Sequence, residues 1–470
     1  MSNSVAFQLQ PADPEHLTVV SPFDGREVGS VPLLGEDSID SILSRARRGK
    51  IIASGLSKFA RGAILDRAAS LVHDRREEFS QLIVSEAGKT IRQARKETLR
   101  AVNTLRLSAA EVRRNAGEVV PFDSYEGSEN RHGWFTREPM GIVVAITPYN
   151  DPLNLVAHKI GPAIAGGNSV ILKPSQFTPL SARRLVATLV EAGLPPEVIT
   201  TVNGRTDVAR AIVAARDVQM VSFTGGFATG EAIARGAGLK KLVMDLGGNA
   251  PVIVFDDANL EHAVTCCVSG AFWAAGQNCV GTQRILVQRA VYAPFRKAFL
   301  AATSVLTVGD PRHEDTDVGP MISVDSAKAA KLKVDDAIAG GATLLYGNEL
   351  SGSLYSPTVL ENTPTSCALW EEEVFAPVVT LQVFDSFEEA IGLSNEIEFS
   401  LHAGVFTASL DRAMRAAQLI EAGGVMVNDS SDYRFDGMPF GGSKYGSMGR
   451  EGVHFAFEDM TQPKVVCINS

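Results

Sequence analysis

The stretch Ile142-Val143-Val144-Ala145-Ile146-Thr147-Pro148-Tyr149-Asn150 joins an apolar run to a polar turn. A short apolar run that ends in turn residues is typical of a strand buried in a parallel sheet. Similar runs follow at residues 169–172 and 220–223, with helical patterns between them. Strands that alternate with helices predict an α/β fold with a parallel sheet. Ligands bind such sheets at the carboxyl ends of the strands, so the residues after each run are candidates for a site.

Polar residues follow each of these runs. Lys173-Pro174-Ser175 comes after the second run, where a lysine could present its ammonium to a ribose hydroxyl or a phosphate or simply lie on the surface. Thr224-Gly225-Gly226 opens a helical pattern after the third run and could hold a pyrophosphate, although it does not match the pattern GxGxxG. The amide of Asn150 could donate a hydrogen bond to an oxyanion or form an Asx turn.

A cysteine and a carboxylate lie on two glycine-containing turns farther along. Cys279 stands in Gly276-Gln277-Asn278-Cys279-Val280, and Asp245 stands in Asp245-Leu246-Gly247-Gly248. A thiol with an assisting base suits covalent catalysis, whereas a cysteine in an apolar neighbourhood is more often inert. Glu373, just before an apolar run, could serve a ligand or begin a helix.

The composition excludes several classes of protein. The chain has 470 residues, 45% hydrophobic and 21% charged, and a net charge of −10, which argues against nonspecific nucleic-acid binding. Its five cysteines lack CxxC spacing and its eight histidines are scattered, so reduced thiols and no metal site are expected. There is no signal-peptide core and no run long enough to span a membrane, so we expect a cytoplasmic protein without a membrane partner.

Other parts of the chain fit a large enzyme. Residues 37–116 have helical periodicity, and a second series of strands and helices extends from residue 252 to about residue 424. The chain ends in the apolar run Lys464-Val465-Val466-Cys467-Ile468, which would be an exposed sheet edge unless it were paired. We expect it to pair with another subunit.

Taken together, the motifs resemble the NAD(P)-dependent aldehyde dehydrogenase superfamily over about residues 20–468. Each motif is modest, and their order is specific. The motifs are Thr147-Pro148-Tyr149-Asn150, Lys173-Pro174-Ser175, Phe223-Thr224-Gly225-Gly226, Asp245-Leu246-Gly247-Gly248, Gly276-Gln277-Asn278-Cys279, Glu373-Val374-Phe375-Ala376-Pro377 and Pro439-Phe440-Gly441-Gly442.

The resemblance implies three structural parts and a homodimer or homotetramer. The parts are a Rossmann-like cofactor-binding domain of residues 1–117 and 137–245, an α/β catalytic domain of residues 246–438, and a small β bridging unit of residues 118–136 and 439–470.

The resemblance also implies a mechanism for an oxidoreductase that uses NAD or NADP. The Cys279 thiolate would attack an aldehyde, Asn150 and the Cys279 N–H would hold the oxyanion, and Asp245 would activate water against the resulting thioester. Lys173 would hold the adenosine ribose, Thr224 to Gly226 would lie near the pyrophosphate, and Glu373 and Phe375 would contact the nicotinamide side. The expected cofactor-binding residues are Thr147, Pro148, Lys173, Ser175, Gln176, Thr224, Gly225, Gly226, Gly230, Leu246, Glu373 and Phe375.

Three positions depart from the family pattern. Asp245 replaces the usual glutamate base and is one methylene shorter, which changes its reach to water. Gln176 replaces a glutamate near the ribose, and this removes repulsion of a 2′-phosphate, so NADP should be tolerated. Gly226 replaces a serine of the pyrophosphate loop. A further family glutamate falls at Gln462, which therefore offers no second base.

The substrate is indicated by two arginines. Arg100 and Arg434 align with positions that line the family's substrate tunnel, where two guanidinium groups would suit a short aldehyde that carries an anionic group. Alternatively, one or both could turn outward or pair with Asp432 or Glu97. Two other functions remain open. A coenzyme A-acylating aldehyde dehydrogenase would release an acyl-coenzyme A, and a non-catalytic binding homologue would produce no reduced cofactor.

Overall fold

The computed structural model describes residues 15–114 and 117–470. The first part is a strand pair followed by a layer of helices, as the helical periodicity of residues 37–116 predicts; residues 115 and 116 lie outside the described residues. Its elements are β1 (Glu15–Val20), β2 (Glu27–Leu33), α1 (Ile39–Gly55), α2 (Lys58–Asp74), α3 (Arg76–Ala87) and α4 (Ile91–Arg114).

The run at residues 142–146 is the central strand of a six-stranded sheet. Two strands of another sheet precede it, and helices connect the parallel strands that follow. These elements are β3 (Glu118–Val119), β4 (Arg131–Pro139), β5 (Ile142–Ile146), α5 (Asn154–Gly166), β6 (Ser169–Lys173), α6 (Pro179–Glu191), β7 (Ile199–Thr201), α7 (Thr206–Ala214), β8 (Met220–Thr224), α8 (Phe227–Ala237) and β9 (Lys241–Asp245). Strands β5 to β9 pair in parallel in the order β9-β8-β5-β6-β7, which confirms the predicted parallel sheet.

The second series of strands and helices forms a seven-stranded sheet. Its strand order is β12-β15-β16-β11-β10-β18-β19, with only β12 antiparallel to its neighbour among these described strands. The elements are β10 (Ala250–Val254), α9 (Leu260–Phe272), β11 (Thr282–Gln288), α10 (Arg289–Ser304), α11 (Val324–Ala339), β12 (Thr343–Tyr346), β13 (Leu350–Ser351), β14 (Leu354–Tyr355), β15 (Thr358–Glu361), α12 (Ala368–Glu371), β16 (Val378–Phe384), α13 (Phe387–Asn395), β17 (Phe399–Ser400), β18 (His402–Phe406), α14 (Leu410–Leu419) and β19 (Gly424–Val427).

The tail returns to the other sheets. Its elements are β20 (Ser443–Lys444), β21 (Ser447–Met448), α15 (Val453–Asp459) and β22 (Thr461–Asn469). Strand β21 pairs with β9 at the edge of the six-stranded sheet, and β20 pairs with β17. The division into domains at residues 118–136, 246–438 and 439–470 stays a prediction.

The terminal run pairs within its own chain. Strand β22 runs antiparallel to the whole of β4, and together with β3 they form a three-stranded sheet. We expected another subunit to pair with this run. At the edge of β22 that faces β4 this expectation is wrong, because β4 of the same chain is a partner of equal length. Among the described residues no strand pairs with the opposite edge of β22. The oligomeric state stays a prediction.

Two large hydrophobic cores lie between the helices and the two large sheets. A first cluster packs α2 to α6 against β5, β6 and β7, and a second surrounds β10, β11, β15 and β16. No helix of the described residues combines the length and the apolar character needed to cross a membrane.

Asn168 ties β5, α5 and the tail together and is fully buried. Its Oδ1 accepts the Gly141 N–H at 2.9 Å, and its Nδ2 donates to the carbonyls of Ala163 at 3.1 Å and Met460 at 2.9 Å. We expect Asn168→Ala to lower the free energy of unfolding by about 1–3 kcal/mol, because buried backbone groups lose their partners. Urea denaturation measures this, and Asn130→Ala at an exposed turn is the control. An equal loss in both variants would contradict the prediction.

Candidate active site

Two cavities meet at the turn that carries Cys279. The first, which we call the sheet-edge cavity, has a volume of about 250 Å³ and lies at the carboxyl ends of β8 and β9. The second, which we call the polar cavity, has a volume of about 470 Å³ and lies between α4, α9 and the loop that follows β19. Asn150 and Cys279 line both cavities, and Asp245 lines the sheet-edge cavity. The structure thus brings together the three residues for which the sequence suggested catalytic roles.

The backbone fixes the position of the cysteine turn. Between α9 and β11, Ala274 and Ala275 have φ angles of 53° and 54°, and Gly276 has a φ angle of 68°. A Cβ on Gly276 would lie 2.0 Å from the carbonyl oxygen of Ala376. Alanine in the left-handed region costs about 1–3 kcal/mol, so the surrounding packing must hold this turn in place.

The Cys279 thiol is protonated in this environment. Burial raises its pKa well above the usual value and the charge of Asp245 adds to the shift, whereas Arg434 opposes it. The thiolate that we expect to attack the aldehyde must therefore form from this thiol. A nearby base is needed to remove the proton before the sulfur can attack.

Asp245 has the properties of such a base. It ends β9, it is 2% exposed, and neither carboxylate oxygen has a hydrogen-bond partner among the described residues. Burial and the negative charge of Glu451 raise the pKa of Asp245 to about 7. A carboxyl group with a pKa near neutrality can both accept and return a proton at physiological pH.

A buried ion network surrounds Glu451, a residue that our sequence reasoning missed. Its carboxylate accepts hydrogen bonds from Thr224 Oγ1 at 2.8 Å, Lys159 Nζ at 3.0 Å and Arg434 Nη2 at 3.0 Å. Burial alone would raise the pKa of Glu451, but the two cations outweigh it and hold the pKa well below its usual range. A charged pair between two glycines, Gly449-Arg450-Glu451-Gly452, was the available signal. Gln462, where we expected no second carboxylate, is exposed on β22.

The sheet-edge cavity has groups that fit a dinucleotide. Helix α8 begins after Gly226, which provides no side-chain cap and would leave open space around an added Cβ. The first N–H groups of the helix are therefore available to a phosphate. Thr224, Gly225, Pro148 and Phe375 also line this cavity.

Glu373 closes the other end of the same cavity. A Cβ on Gly247 would lie 2.6 Å from the Glu373 carboxylate, so only glycine permits this approach. The Gly248 N–H donates to Glu373 at 3.4 Å. Burial raises the pKa of Glu373 to about 8, which makes the carboxyl group suited to exchange hydrogen bonds with hydroxyl groups of a ligand.

The remaining expected cofactor residues lie around this cavity rather than in its wall. The Thr147 N–H donates to the Lys173 carbonyl at 3.2 Å across the ends of β5 and β6, and Thr147 Oγ1 is buried without a hydrogen-bond partner among the described residues. Ser175 is half-buried and Gln176 is exposed on the loop before α6. On α8, a Cβ on Gly230 would come within 2.2 Å of the Leu246 side chain, so these two residues are in close contact, and their role in cofactor binding stays a prediction.

Tyr149 connects the two ends of the expected cofactor site. Its ring makes edge contacts with Phe177 at 6.0 Å and Phe375 at 5.9 Å between centroids. Our sequence reasoning gave Tyr149 no role.

Arg100 and Arg434 both line the polar cavity. Arg100 pairs with Asp151 at 3.2 Å and Asp436 at 2.9 Å, and Arg434 pairs with Glu451 and lies 3.7 Å from the centroid of the Phe440 ring. The alternative pairing with Asp432 or Glu97 is therefore wrong. Glu97 instead binds Lys89 at 2.8 Å, and Lys89 also contacts Asp151, so this cavity contains charges that sequence reasoning did not identify.

Comparisons with known proteins agree on one family. The sequence profile of the Aldehyde dehydrogenase family matches residues 9–466. The chain is 64% identical over 453 residues to a putative aldehyde-dehydrogenase-like protein of Sinorhizobium fredii, with 96% of this chain and 88% of that protein covered. It is 60% identical over 454 residues to aspartate-semialdehyde dehydrogenase 1 of Pseudomonas canavaninivorans, with 97% of each covered.

A solved structure has the same fold. The glyceraldehyde-3-phosphate dehydrogenase of Methanocaldococcus jannaschii, complexed with NADP, superposes with a TM-score of 0.94 at 37% identity. The alignment covers 98% of this chain and 100% of that chain.

The charge of Glu451 should set the pH at which Asp245 ionises. We expect Glu451→Gln to lower the pKa of Asp245 by about one unit or more, because a like charge disappears and two cations lose their partner. The acid limb of the kcat profile should then move to lower pH. Glu458→Gln, at a more exposed position on α15, is the control. An unchanged acid limb in Glu451→Gln would contradict the coupling.

Proposed function

Because this chain belongs to the aldehyde dehydrogenase family, we propose that it oxidises a short anionic aldehyde to its carboxylic acid through a thioester on Cys279. The chain is an NAD(P)-dependent oxidoreductase that acts on a small aldehyde. The observation that carries the proposal is the position of Cys279 and Asn150 between a cavity suited to a dinucleotide and a cavity lined by arginines.

The first step is the activation and attack of the thiol. Asp245, as carboxylate, takes the proton from Cys279, and the sulfur adds to the aldehyde carbon to give a thiohemiacetal alkoxide. The Asn150 amide and the Cys279 N–H donate hydrogen bonds to the developing oxyanion. When bound, NAD or NADP accepts a hydride from that carbon, which leaves a thioester on Cys279.

The second step is hydrolysis of the thioester. Asp245 first releases to solvent the proton that it took from Cys279. It then accepts a proton from a water molecule that attacks the thioester carbonyl, and the thiolate leaves as the carboxylic acid forms. Burial and the charge of Glu451 raise the pKa of Asp245 to about 7, against the opposing charges of Arg434 and Lys159. This pKa permits one carboxyl group to serve both proton transfers.

The cofactor would be held by the groups around the sheet-edge cavity. Thr224 to Gly226 and the start of α8 would bind the pyrophosphate, and Glu373 and Phe375 would hold the nicotinamide ribose. Lys173 would reach the adenosine ribose. Gln176, being uncharged, would leave space for either NAD or NADP.

An anionic group on the substrate is supported by Arg100 and Arg434. Both side chains keep N–H groups beyond those used in their ion pairs, since a guanidinium has five. Two of the similar proteins are named for aldehydes that carry a negative group, aspartate semialdehyde and glyceraldehyde 3-phosphate.

Replacing Asp245 should impair both proton transfers. We expect Asp245→Asn to lower kcat by about 10²- to 10⁴-fold, because no base remains to deprotonate Cys279 or to activate water. Rapid-mixing measurement of reduced cofactor should show at most a single-turnover burst. Asp245→Glu, which restores the longer side chain, should retain turnover. Full steady-state activity in Asp245→Asn would contradict the role of this carboxylate, and formation of an acyl-coenzyme A by the unmodified enzyme would favour the acylating alternative.

Removing either arginine should affect charged substrates selectively. We expect Arg100→Ala and Arg434→Ala to raise KM for succinate semialdehyde by about 10- to 100-fold, the equivalent of one charged hydrogen bond. KM for butanal, a neutral aldehyde of equal length, should change little. Arg106→Ala, on the exposed side of α4, is the control. An equal effect on both aldehydes would indicate a structural role instead.

A further inference from the structure

The polar cavity contains as many acidic as basic side chains. Those that line it are Lys89, Lys96, Arg100 and Arg434 on the one hand and Glu97, Asp151, Asp429 and Asp432 on the other. A cavity that recognised only an anion would not need carboxylates in its wall, because they repel the anion. The partners of these eight groups therefore decide which of them remain available to a substrate.

The carboxylates near α4 are neutralised by cations. Lys89 pairs with Glu97 and Asp151, and Arg100 pairs with Asp151. Asp151 thus has two cationic partners. Neither Glu97 nor Asp151 is free to bind a further cation.

Asp429 and Asp432 differ because neither forms an ion pair with a basic side chain in the part of the chain that the structure describes. Asp429 accepts the Ser430 N–H at 2.8 Å, and Asp432 accepts the Ser430 hydroxyl. Burial raises the pKa of Asp432 and the charge of Lys96 acts to lower it, but the Lys96 ammonium lies over the Trp273 ring, 4.6 Å from its centroid, and forms no ion pair with Asp432. Two carboxylates in one turn thus face the cavity without a cation of their own.

Arg434, on the same loop, has an unused donor. Its side chain is 8% exposed, and its Nε–H has no acceptor among the described residues. A buried N–H without an acceptor is destabilising unless a ligand completes it. One wall of the polar cavity therefore offers both an unused donor and two unpaired carboxylates.

We propose that the substrate is a zwitterion, a short α-amino-acid semialdehyde whose ammonium group binds Asp429 and Asp432 and whose carboxylate binds Arg100 and Arg434. The aldehyde carbon lies at Cys279, which lines the same cavity. This inference rests on the proposed function and narrows its substrate class. It assigns to Asp429 and Asp432 the discrimination between an amino acid and a plain acid of the same length.

The test compares two aldehydes that differ only in the ammonium group, L-aspartate β-semialdehyde and succinate semialdehyde. We expect the enzyme to prefer the first by about 10- to 100-fold in kcat/KM, the equivalent of one ammonium–carboxylate hydrogen bond. Asp429→Asn and Asp432→Asn should each reduce this ratio and leave kcat/KM for succinate semialdehyde equal or higher. Asp411→Asn, an exposed carboxylate on α14, is the control.

Product inhibition provides a second measurement that needs no turnover of the amino substrate. L-Aspartate should inhibit more strongly than succinate. This difference should shrink in both Asp429→Asn and Asp432→Asn, and Asp429→Asn alone is sufficient for the test if Asp432→Asn folds poorly. An equal preference for the two aldehydes, or a preference that survives both substitutions, would overturn the inference. If neither aldehyde nor any other anionic aldehyde is oxidised, the proposed function itself fails.

Discussion

The carboxylate of Glu451 is the charge on which the rest of the site depends. It lies in the tail but is hydrogen-bonded to Thr224 at the end of β8, to Lys159 on α5 and to Arg434 beside the polar cavity. Such partners stabilise the charge of a buried carboxylate, and the removal of Lys159 or Arg434 would leave part of that charge uncompensated. The same charge raises the pKa of Asp245. One ion network therefore joins the tail, the six-stranded sheet and the chemistry at Cys279.

Much of the architecture followed from short-range pattern. The run at residues 142–146 and its successors alternate with helices, and this pattern was enough to predict a parallel sheet with Thr147, Lys173 and Thr224 at its carboxyl edge. The pairing of β22 with β4 was not predictable, because strands separated by more than 300 residues carry no local signal of register.

Sequence reasoning proposed site residues where a residue works through its own chemistry. It singled out Cys279, Asn150, Asp245, Glu373 and the two arginines, and the structure places them in the walls of two adjoining cavities. Glu451, Lys159 and Tyr149 were missed because their contributions come from contacts that the fold creates. The protonation state of Cys279 was also not predictable from the sequence, because burial and a neighbouring charge determine it and the residue type alone does not.

The position of Cys279 and the proposed selection of the substrate depend on different parts of the chain. Cys279 is positioned by the backbone conformation of the turn from Ala274 to Gly276 and by the close approach of Ala376. Asp429, Asp432 and Arg434 lie instead on the loop that follows β19, outside any strand or helix. Under the proposed substrate recognition, we expect substitutions of Asp429 and Asp432 to alter which aldehyde is accepted while the sulfur stays in place. A scaffold of this kind lets new specificities evolve by a few replacements, with the reactive chemistry inherited unchanged.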